Sequence, residues 1–343
     1  MSVNKRLLTL IGLLIVIAVI GVLTAFNYLQ TRNAAPFKKE VQAGKEQGSV
    51  AVFKKSWSSV AVMIDNFEES YRAAGLNQAR VIYEVPVEAG ITRFLTIFDL
   101  ESLPEKIGPV RSTRPYFIDL ASDYKGILVH AGGSPEALKQ LKAENDLSYD
   151  LNEISGNGIY FWRDVSRIAP FNVYTGRDSI KKAAKDKNLK IIETSNFLYE
   201  SKKTGGDKMD RFAEVASRQA EIEIDYREPV FWKFNKEENQ YLRYKKTNDK
   251  LSSFEDEDGQ IKTPNLVILK TEIKIIDEIG RRQIKLAGAG EAIILQNGET
   301  KKGIWLKSAE SPLKFYDLEN QEIKFLPGNI WIEIVDNFFK IPL

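Results

Sequence analysis

The chain has 343 residues, 43% hydrophobic and 28% charged, with a formal net charge of +2, which suits one or two folded domains and gives no electrostatic reason to expect nucleic acid as a partner. It contains no cysteine, which excludes disulfides, thiolate catalysis and cysteine-ligated zinc. One histidine, His130, rules out zinc sites built on several histidines, and the absence of a phosphate loop or dinucleotide fingerprint gives no reason to expect a cofactor.

Lys5 and Arg6 precede an uncharged apolar stretch from Leu7 to Phe26. At ~1.5 Å per residue, a helix of that length matches a bilayer core of roughly 30 Å. Basic residues on its N-terminal side place the N-terminus in the cytoplasm and the rest outside, as a single-pass anchor. A cleaved signal peptide is the alternative; it would usually have a shorter apolar core and a small-residue cleavage site. Residues 1–30 are thus read as the anchor and the polar, aperiodic stretch 31–56 as a tether.

Strand-type runs are expected at Val60 to Ile64, Ala79 to Val87, Ile91 to Asp99 and Gly126 to Ala131. The second and third are joined by Glu88-Ala-Gly90 as a hairpin. Helical spacing follows at Tyr116 to Tyr124, where Pro115 suits a first turn, and again at 136–144 and 180–187. A polar glycine-containing stretch, 201–210, is a candidate linker. Beyond it come short β-type runs broken by turns such as Asn297-Gly298. The expected architecture is therefore α+β: an N-terminal transmembrane helix, a mixed α/β domain over 57–205, and a mainly antiparallel β domain over 206–343.

Several stretches are long and unusual: Val62-Met-Ile-Asp-Asn66, Tyr83 to Phe94, Lys106 to Tyr116, Val129 to Glu136, and Phe161-Trp-Arg-Asp164 with Arg167 and Tyr174 beyond it. Together with Gly303 to Lys307 and Pro327 to Glu333, they resemble the YerB-type lipoproteins, a bacterial domain family of unknown function, in both its N- and C-terminal domains. The resemblance implies a cell-envelope protein outside the cytoplasmic membrane and supplies no established activity. Many relatives carry a lipid-modified cysteine; here the Leu7 to Phe26 helix would take its place.

The candidate site centres on Arg111 and Arg114, with Arg163 and Arg167 in a second turn-rich segment. Arginine forks suit carboxylate or phosphate. The four either converge on an anion pocket or pair with Asp119, Asp164, Glu84 or Glu88 to lock loops. Glu84 and Glu88 would share one face of a regular strand. They are read as general acid and base for glycosidic cleavage, as oxygen ligands for a hard cation, or as salt-bridge partners of Arg93 or Arg111. No metal is assigned. Asp65 and Asn66 end a strand and either join the ligand site or cap a turn. His130 precedes Gly132-Gly-Ser134 and is read either as a general base or as a hydrogen-bonded strand-end residue. Tyr83, Tyr116, Tyr160, Phe161, Trp162, Phe171 and Tyr174 would stack on sugars or fill a core.

These readings favour an envelope binding or scaffolding protein contacting the cytoplasmic membrane through Leu7 to Phe26 and peptidoglycan or a wall-synthesis protein outside it. A glycan-acting hydrolase using Glu84, Glu88 and His130, and a sensor of an anionic small molecule, stay open.

Overall fold

The computed structural model describes residues 52–67, 72–143, 146–201, 221–247 and 250–340. The expected anchor, most of the tether and most of the candidate linker lie outside the described residues. Among the described residues no helix is long and apolar enough to cross a membrane.

An 11-stranded sheet forms the middle of the molecule. Its strands are β1 (Trp57–Asp65), β2 (Val81–Pro86), β3 (Thr92–Asp99), β4 (Ile127–His130), β5 (Tyr149–Asn152), β6 (Asn265–Thr271), β7 (Gly288–Gln296), β8 (Glu299–Lys307), β9 (Lys314–Asp317) and β10 (Ile330–Asp336), with Glu193–Thr194 pairing β1. The order is β9-β8-β7-β6-β10-β2-β3-β1-β4-β5. The β2–β3 pair is the expected antiparallel hairpin, with Val85 opposite Arg93 and Tyr83 opposite Leu95. The central strands read as nearly continuous apolar runs because both faces are covered.

Alternation sends the two sides of each strand into different cores. Ala61 and Met63, with Tyr83, Val85, Ile332 and Ile334, pack against α1 (Pro115–Ser122) and α2 (Pro135–Lys142) through Phe117, Leu120 and Ala137. Val60, Val62 and Ile64, with Phe94, Ile268 and Trp331, pack on the opposite face. That face is covered by a smaller five-stranded sheet contributing Ile222, Ile224, Val230, Trp232 and Tyr241, and by helix Arg177–Asp186 through Ile180 and Ala183. Both layered helices begin as local chemistry dictates. Pro115 starts α1, and the Ser134 hydroxyl accepts from the Ala137 amide to cap α2.

The N-terminal part is mixed α/β and the C-terminal part is rich in antiparallel strands, as expected. The two stretches nevertheless share one sheet. β10 lies parallel to β6 on one side and parallel to β2 on the other, pairing Glu333 with Glu84 and Trp331 with Ile82. Residues 50–343 accordingly form one compact unit. Nothing local signals this pairing, because it joins strands at opposite ends of the chain.

A shared central sheet predicts a single cooperative unfolding transition for residues 50–343, with tryptophan fluorescence and circular dichroism coinciding. Ile332→Ala, which empties a fully buried site in β10, is expected to destabilise that whole transition by about 2–5 kcal/mol. Two separated transitions, with only one moved by the substitution, would show independent domains.

Candidate functional site

The Lys106 to Tyr116 segment is clamped by backbone hydrogen bonds on three sides. Ile107 and Thr175 exchange a pair, the Val110 amide donates to the Val173 carbonyl, and the Arg111 amide donates to Met63. On the third side the Ala131 amide donates to Arg111 and the Thr113 amide to Gly132. Gly108 is required at the closest approach: with φ of +148°, an added Cβ would sit 2.8 Å from the Tyr174 ring and 2.9 Å from the Val173 carbonyl oxygen.

This clamp brings three arginines to the helix-covered face at the ends of β1 and β3. Arg114 grips Glu88 with two hydrogen bonds of 2.5 and 2.9 Å and donates to the Thr113 carbonyl. Burial pushes the Glu88 carboxyl up, but the Arg114 hydrogen bonds and charge outweigh it and hold it below the usual range. Arg93 is buried and donates to the Ser112 carbonyl at 2.7 Å; burial, with Arg114 and Arg111 nearby, draws it down to about 10. Arg111 lies 3.5 Å from Asp65 Oδ1 and over the Phe171 ring, and donates to the Pro170 carbonyl. Asp65 is 2% exposed, yet neither of its carboxylate oxygens has a hydrogen-bond donor.

A second polar cluster occupies the opposite face, beneath the five-stranded sheet. That sheet contains Glu221–Ile224, Val230–Asn235, Gln240–Thr247 and Lys250–Ser253, with Lys262–Thr263 beside it. Glu84 Oε1 accepts from Asn66 (3.0 Å), Thr92 (2.7 Å) and Arg243 (2.8 Å). Glu333, its register partner on β10, accepts from the indole N–H groups of Trp232 (2.8 Å) and Trp331 (3.0 Å) and lies 3.1 Å from the Tyr226 hydroxyl. Both glutamates are fully buried. Burial first, and the neighbouring Glu84 charge second, push the Glu333 carboxyl well above the usual range. The Tyr226 hydroxyl is within donating distance of both Glu333 Oε2 and the Ile334 carbonyl, the latter at 3.0 Å. Arg243 is 2% exposed and packs its guanidinium 3.7 Å from the Phe254 ring centroid, leaving Nε and Nη1 without acceptors.

Beside this cluster opens a cavity of about 390 Å³, bordered by Asp65, Asn66 and Thr92 from the large sheet and by Tyr226, Arg243 and Phe254 from the smaller one. More than half of the buried side-chain polar atoms without partners belong to Asp65, Glu84, Arg93, Arg111 and Arg243. Each such atom costs about 1–3 kcal/mol unless something completes it.

The expected four-arginine pocket does not form. Arg163 turns to Glu153 and Asn172, both at 3.0 Å. Arg167 binds Asp164, Glu257 and the Tyr174 hydroxyl. Asp164 also accepts from Ser166. Of the four arginines, Arg111 is the one that reaches from the first segment to the second, through Pro170 and Phe171. Glu84 and Glu88 part company as well. The strand ends at Pro86, and Ala89 takes a left-handed φ of 59°, so Glu88 swings to Arg114 while Glu84 faces Arg243. The even spacing that would align them holds only inside a regular strand. His130 has both ring nitrogens engaged, Nδ1 with the Gly132 carbonyl and Nε2 with Asp150, each at 2.6 Å, and Ser134 is occupied as a helix cap. Tyr83, Tyr116, Tyr160 and Tyr174 are buried, and Trp162 stacks on Tyr174.

The residues that the sequence reading missed are Arg243, Glu333 and Tyr226. Glu333 was detectable: an acid flanked on both sides by the apolar residues of strand Ile330–Asp336 must be buried and therefore partnered. Arg243, among the polar residues of Gln240–Thr247, reads as a solvated charge.

Two regions of the chain match known families: residues 48–190 match "Protein of unknown function (DUF3048) N-terminal domain" and residues 221–332 match the corresponding C-terminal domain. "Putative lipoprotein YerB" of Bacillus subtilis (strain 168) is 32% identical over 285 residues, which is 80% of each chain. The chain belongs to the YerB-like family. The crystal structure of the YerB protein from Bacillus subtilis superposes with a TM-score of 0.67 at 28% identity, covering 85% of this chain and 93% of that one. In this YerB-like chain the N-terminal family region supplies Asp65, Glu84, Arg93, Arg111 and Arg114. The C-terminal region supplies Tyr226, Trp232, Arg243 and Phe254, with Glu333 one residue past its end.

Two substitutions separate the roles of the buried carboxylates. Glu84→Gln leaves Arg243 uncompensated and is expected to cost about 3–5 kcal/mol in chemical denaturation. Glu333→Gln mimics the neutral acid. Because folding raises this carboxyl above its unfolded value of roughly 4.3, the folded state binds more protons, and wild-type stability falls as pH rises past that value. The Gln variant should therefore gain on wild type from about pH 4.5 upward, by at most ~1.4 kcal/mol per pH unit. A pH-independent difference would mean that Glu333 ionises normally.

Proposed function

We propose that this chain is a membrane-anchored, extracytoplasmic binding protein of the cell envelope, acting on peptidoglycan or on a wall-synthesis protein. The observation that carries the binding reading is the cavity between the two sheets, where buried charged groups still lack hydrogen-bond partners. The groups that a hydrolase would use are committed elsewhere: Glu88 to Arg114, Glu84 to Arg243 and His130 to Gly132 and Asp150. Retaining or inverting glycosidases need two carboxyl groups flanking one bond, and Glu84 and Glu88 point to opposite sides of the sheet. The location rests on the uncharged stretch from Leu7 to Phe26 behind Lys5 and Arg6, and on a curated relative whose name calls it a lipoprotein. With no cysteine to carry lipid, the uncharged stretch from Leu7 to Phe26 is the anchor in this reading.

The test is to incubate the detergent-solubilised full chain with isolated sacculi and to analyse pellet and supernatant by mass spectrometry. The expected outcome is protein in the pellet and no new soluble fragments. Fragments that vanish with Glu84→Gln/Glu88→Gln would make the chain a hydrolase. Protein left wholly in solution would remove peptidoglycan as the partner.

A further inference from the structure

Five large apolar side chains, Ile154, Ile159, Trp162, Val165 and Ile168, are exposed within residues 154–168; Val165 is 96% exposed and Ile168 72%. The sheet decides where they stand. β5 runs parallel to β4 and β4 to β1, so Ile154 follows the end of β5 at the rim where β1 ends in Asp65. Trp162–Arg163 and Val173–Tyr174 then pair as a hairpin. The Val110 amide holds it to the same rim through the Val173 carbonyl. Turn tips are ordinarily polar. The exposed residues of this one, Val165, Ser166, Ile168, Ala169 and Pro170, carry no charge. The charges between them and Ile154 are spent on each other: Arg163 meets Glu153 at 3.0 Å and Arg167 meets Asp164 at 3.2 Å. The turn before the hairpin stands clear of the protein, with nothing within 4 Å of a Cβ added at Gly156.

A second apolar tip stands at the same end. β6 lies parallel to β10 and β10 to β2, while β2 and β1 are both antiparallel to β3. The chain therefore leaves β6 at this rim, and the hairpin that follows exposes Ile275, Ile276 and Ile279. The turn before α2 joins the two tips. Arg281 meets Glu136 at 3.2 Å, and Ile154 Cδ1 lies 3.2 Å from where a Cβ on Gly132 would sit.

Resting on the membrane-anchored reading above, we propose that this rim is a second membrane contact. The tips at 154–168 and 275–279 enter the headgroup layer of the bilayer that holds the anchor, with Trp162 at the interface. Single apolar side chains on projecting turns, with a tryptophan and an arginine behind them, match what a lipid interface accepts. A protein partner would instead be met by a packed, desolvated patch. Chain length permits the contact. The folded part begins at the opposite end, where Trp57 opens β1, and the nine residues of β1 cover about 30 Å. Residues 27–51 lie between the apolar stretch and the first described residue. A chain of that length spans up to about 85 Å, enough to bring the far rim to the surface from which it starts. Being tied to that surface keeps the rim at high effective concentration over it, so a few side chains suffice.

Because the chain has no cysteine, single sites can be labelled in the full protein. Ile168→Cys reports the rim. Ile192→Cys reports the opposite end: it is 60% exposed, next to Glu193–Thr194, which pairs with Trp57 and Ser58. Both are exposed positions where substitution leaves the fold intact. Each variant, carrying an environment-sensitive fluorophore, is reconstituted in phosphatidylethanolamine–phosphatidylglycerol vesicles with and without lipid bearing a nitroxide near its headgroup. The label at 168 is expected to lose most of its fluorescence to the nitroxide and the label at 192 to keep it. The unlabelled chain gives an independent reading. Of its five tryptophans only Trp162 is exposed, so the nitroxide should quench a component of the emission that is absent from Trp162→Phe and lost in Ile168→Asp. Quenching at 192 instead of 168 would overturn the proposal by turning the other end to the lipid. Quenching at neither site would also overturn it and leave the rim to a protein partner. A chain that does not float with the vesicles would sink the anchor reading itself, whereas one that floats with position 168 unquenched sinks the rim contact alone.

Discussion

A buried guanidinium beside two carboxylates ties three parts of the molecule together. Arg243 comes from the smaller sheet, Glu84 from the N-terminal hairpin and Glu333 from the last strand of the large sheet. Taking such charges out of water costs several kcal/mol per ion, so the group is weak evidence for stability. Its consequence is register. Sliding β10 by one residue would turn Glu333 into the helix-covered core in place of Ile332 and Ile334 and leave Trp232 without its acceptor. The polar cluster thus fixes which residues of β10 and β2 face each other, and with them the position of Glu84 under Arg243.

The same register sets up the cavity. Because Glu84 uses one edge of Arg243, the remaining guanidinium nitrogens stay at the cavity while Phe254 packs against the guanidinium. On the other face, Arg93 and Arg111 surround Asp65 with charge without giving it a hydrogen bond. Several unmatched groups at about 1–3 kcal/mol each are a large fraction of a typical stability of about 5–15 kcal/mol. These groups fall into two sets, Asp65 with Arg93 and Arg111 on the helix-covered face and Glu84 with Arg243 beneath the smaller sheet.

The sequence showed the elements more readily than the site. Strand and helix positions followed from period-two and helical spacing, from Pro115 and from the turn residues, which act locally. The β10–β2 pairing was invisible because parallel partners more than 200 residues apart leave no mark on either segment. Of the alternatives open for the site, pairing describes Arg114 with Glu88 and Arg167 with Asp164, while the shared face expected of Glu84 and Glu88 is lost to local geometry. Pro86 and the left-handed Ala89 broke the spacing that would have aligned Glu84 with Glu88. His130, the only histidine, drew attention as a base, yet both its nitrogens are spent on holding the 130–132 loop and Asp150. Arg111 and Arg114 sit on the clamped segment, with their forks turned to Asp65 and Glu88.

The placement of β10 also bears on how the two family regions relate. β2 has β3 on one side and β10 on the other. Without the C-terminal region, β2 would present an open hydrogen-bonding edge flanked by apolar side chains, an arrangement that folded proteins avoid. Glu84 would lose Arg243, and the cavity would lose Tyr226, Arg243 and Phe254 together. The N-terminal region holds most of the unusual motifs, but Glu84 is partnered by Arg243, which arrives more than 150 residues later in the chain, so the folded unit is the whole of residues 50–343.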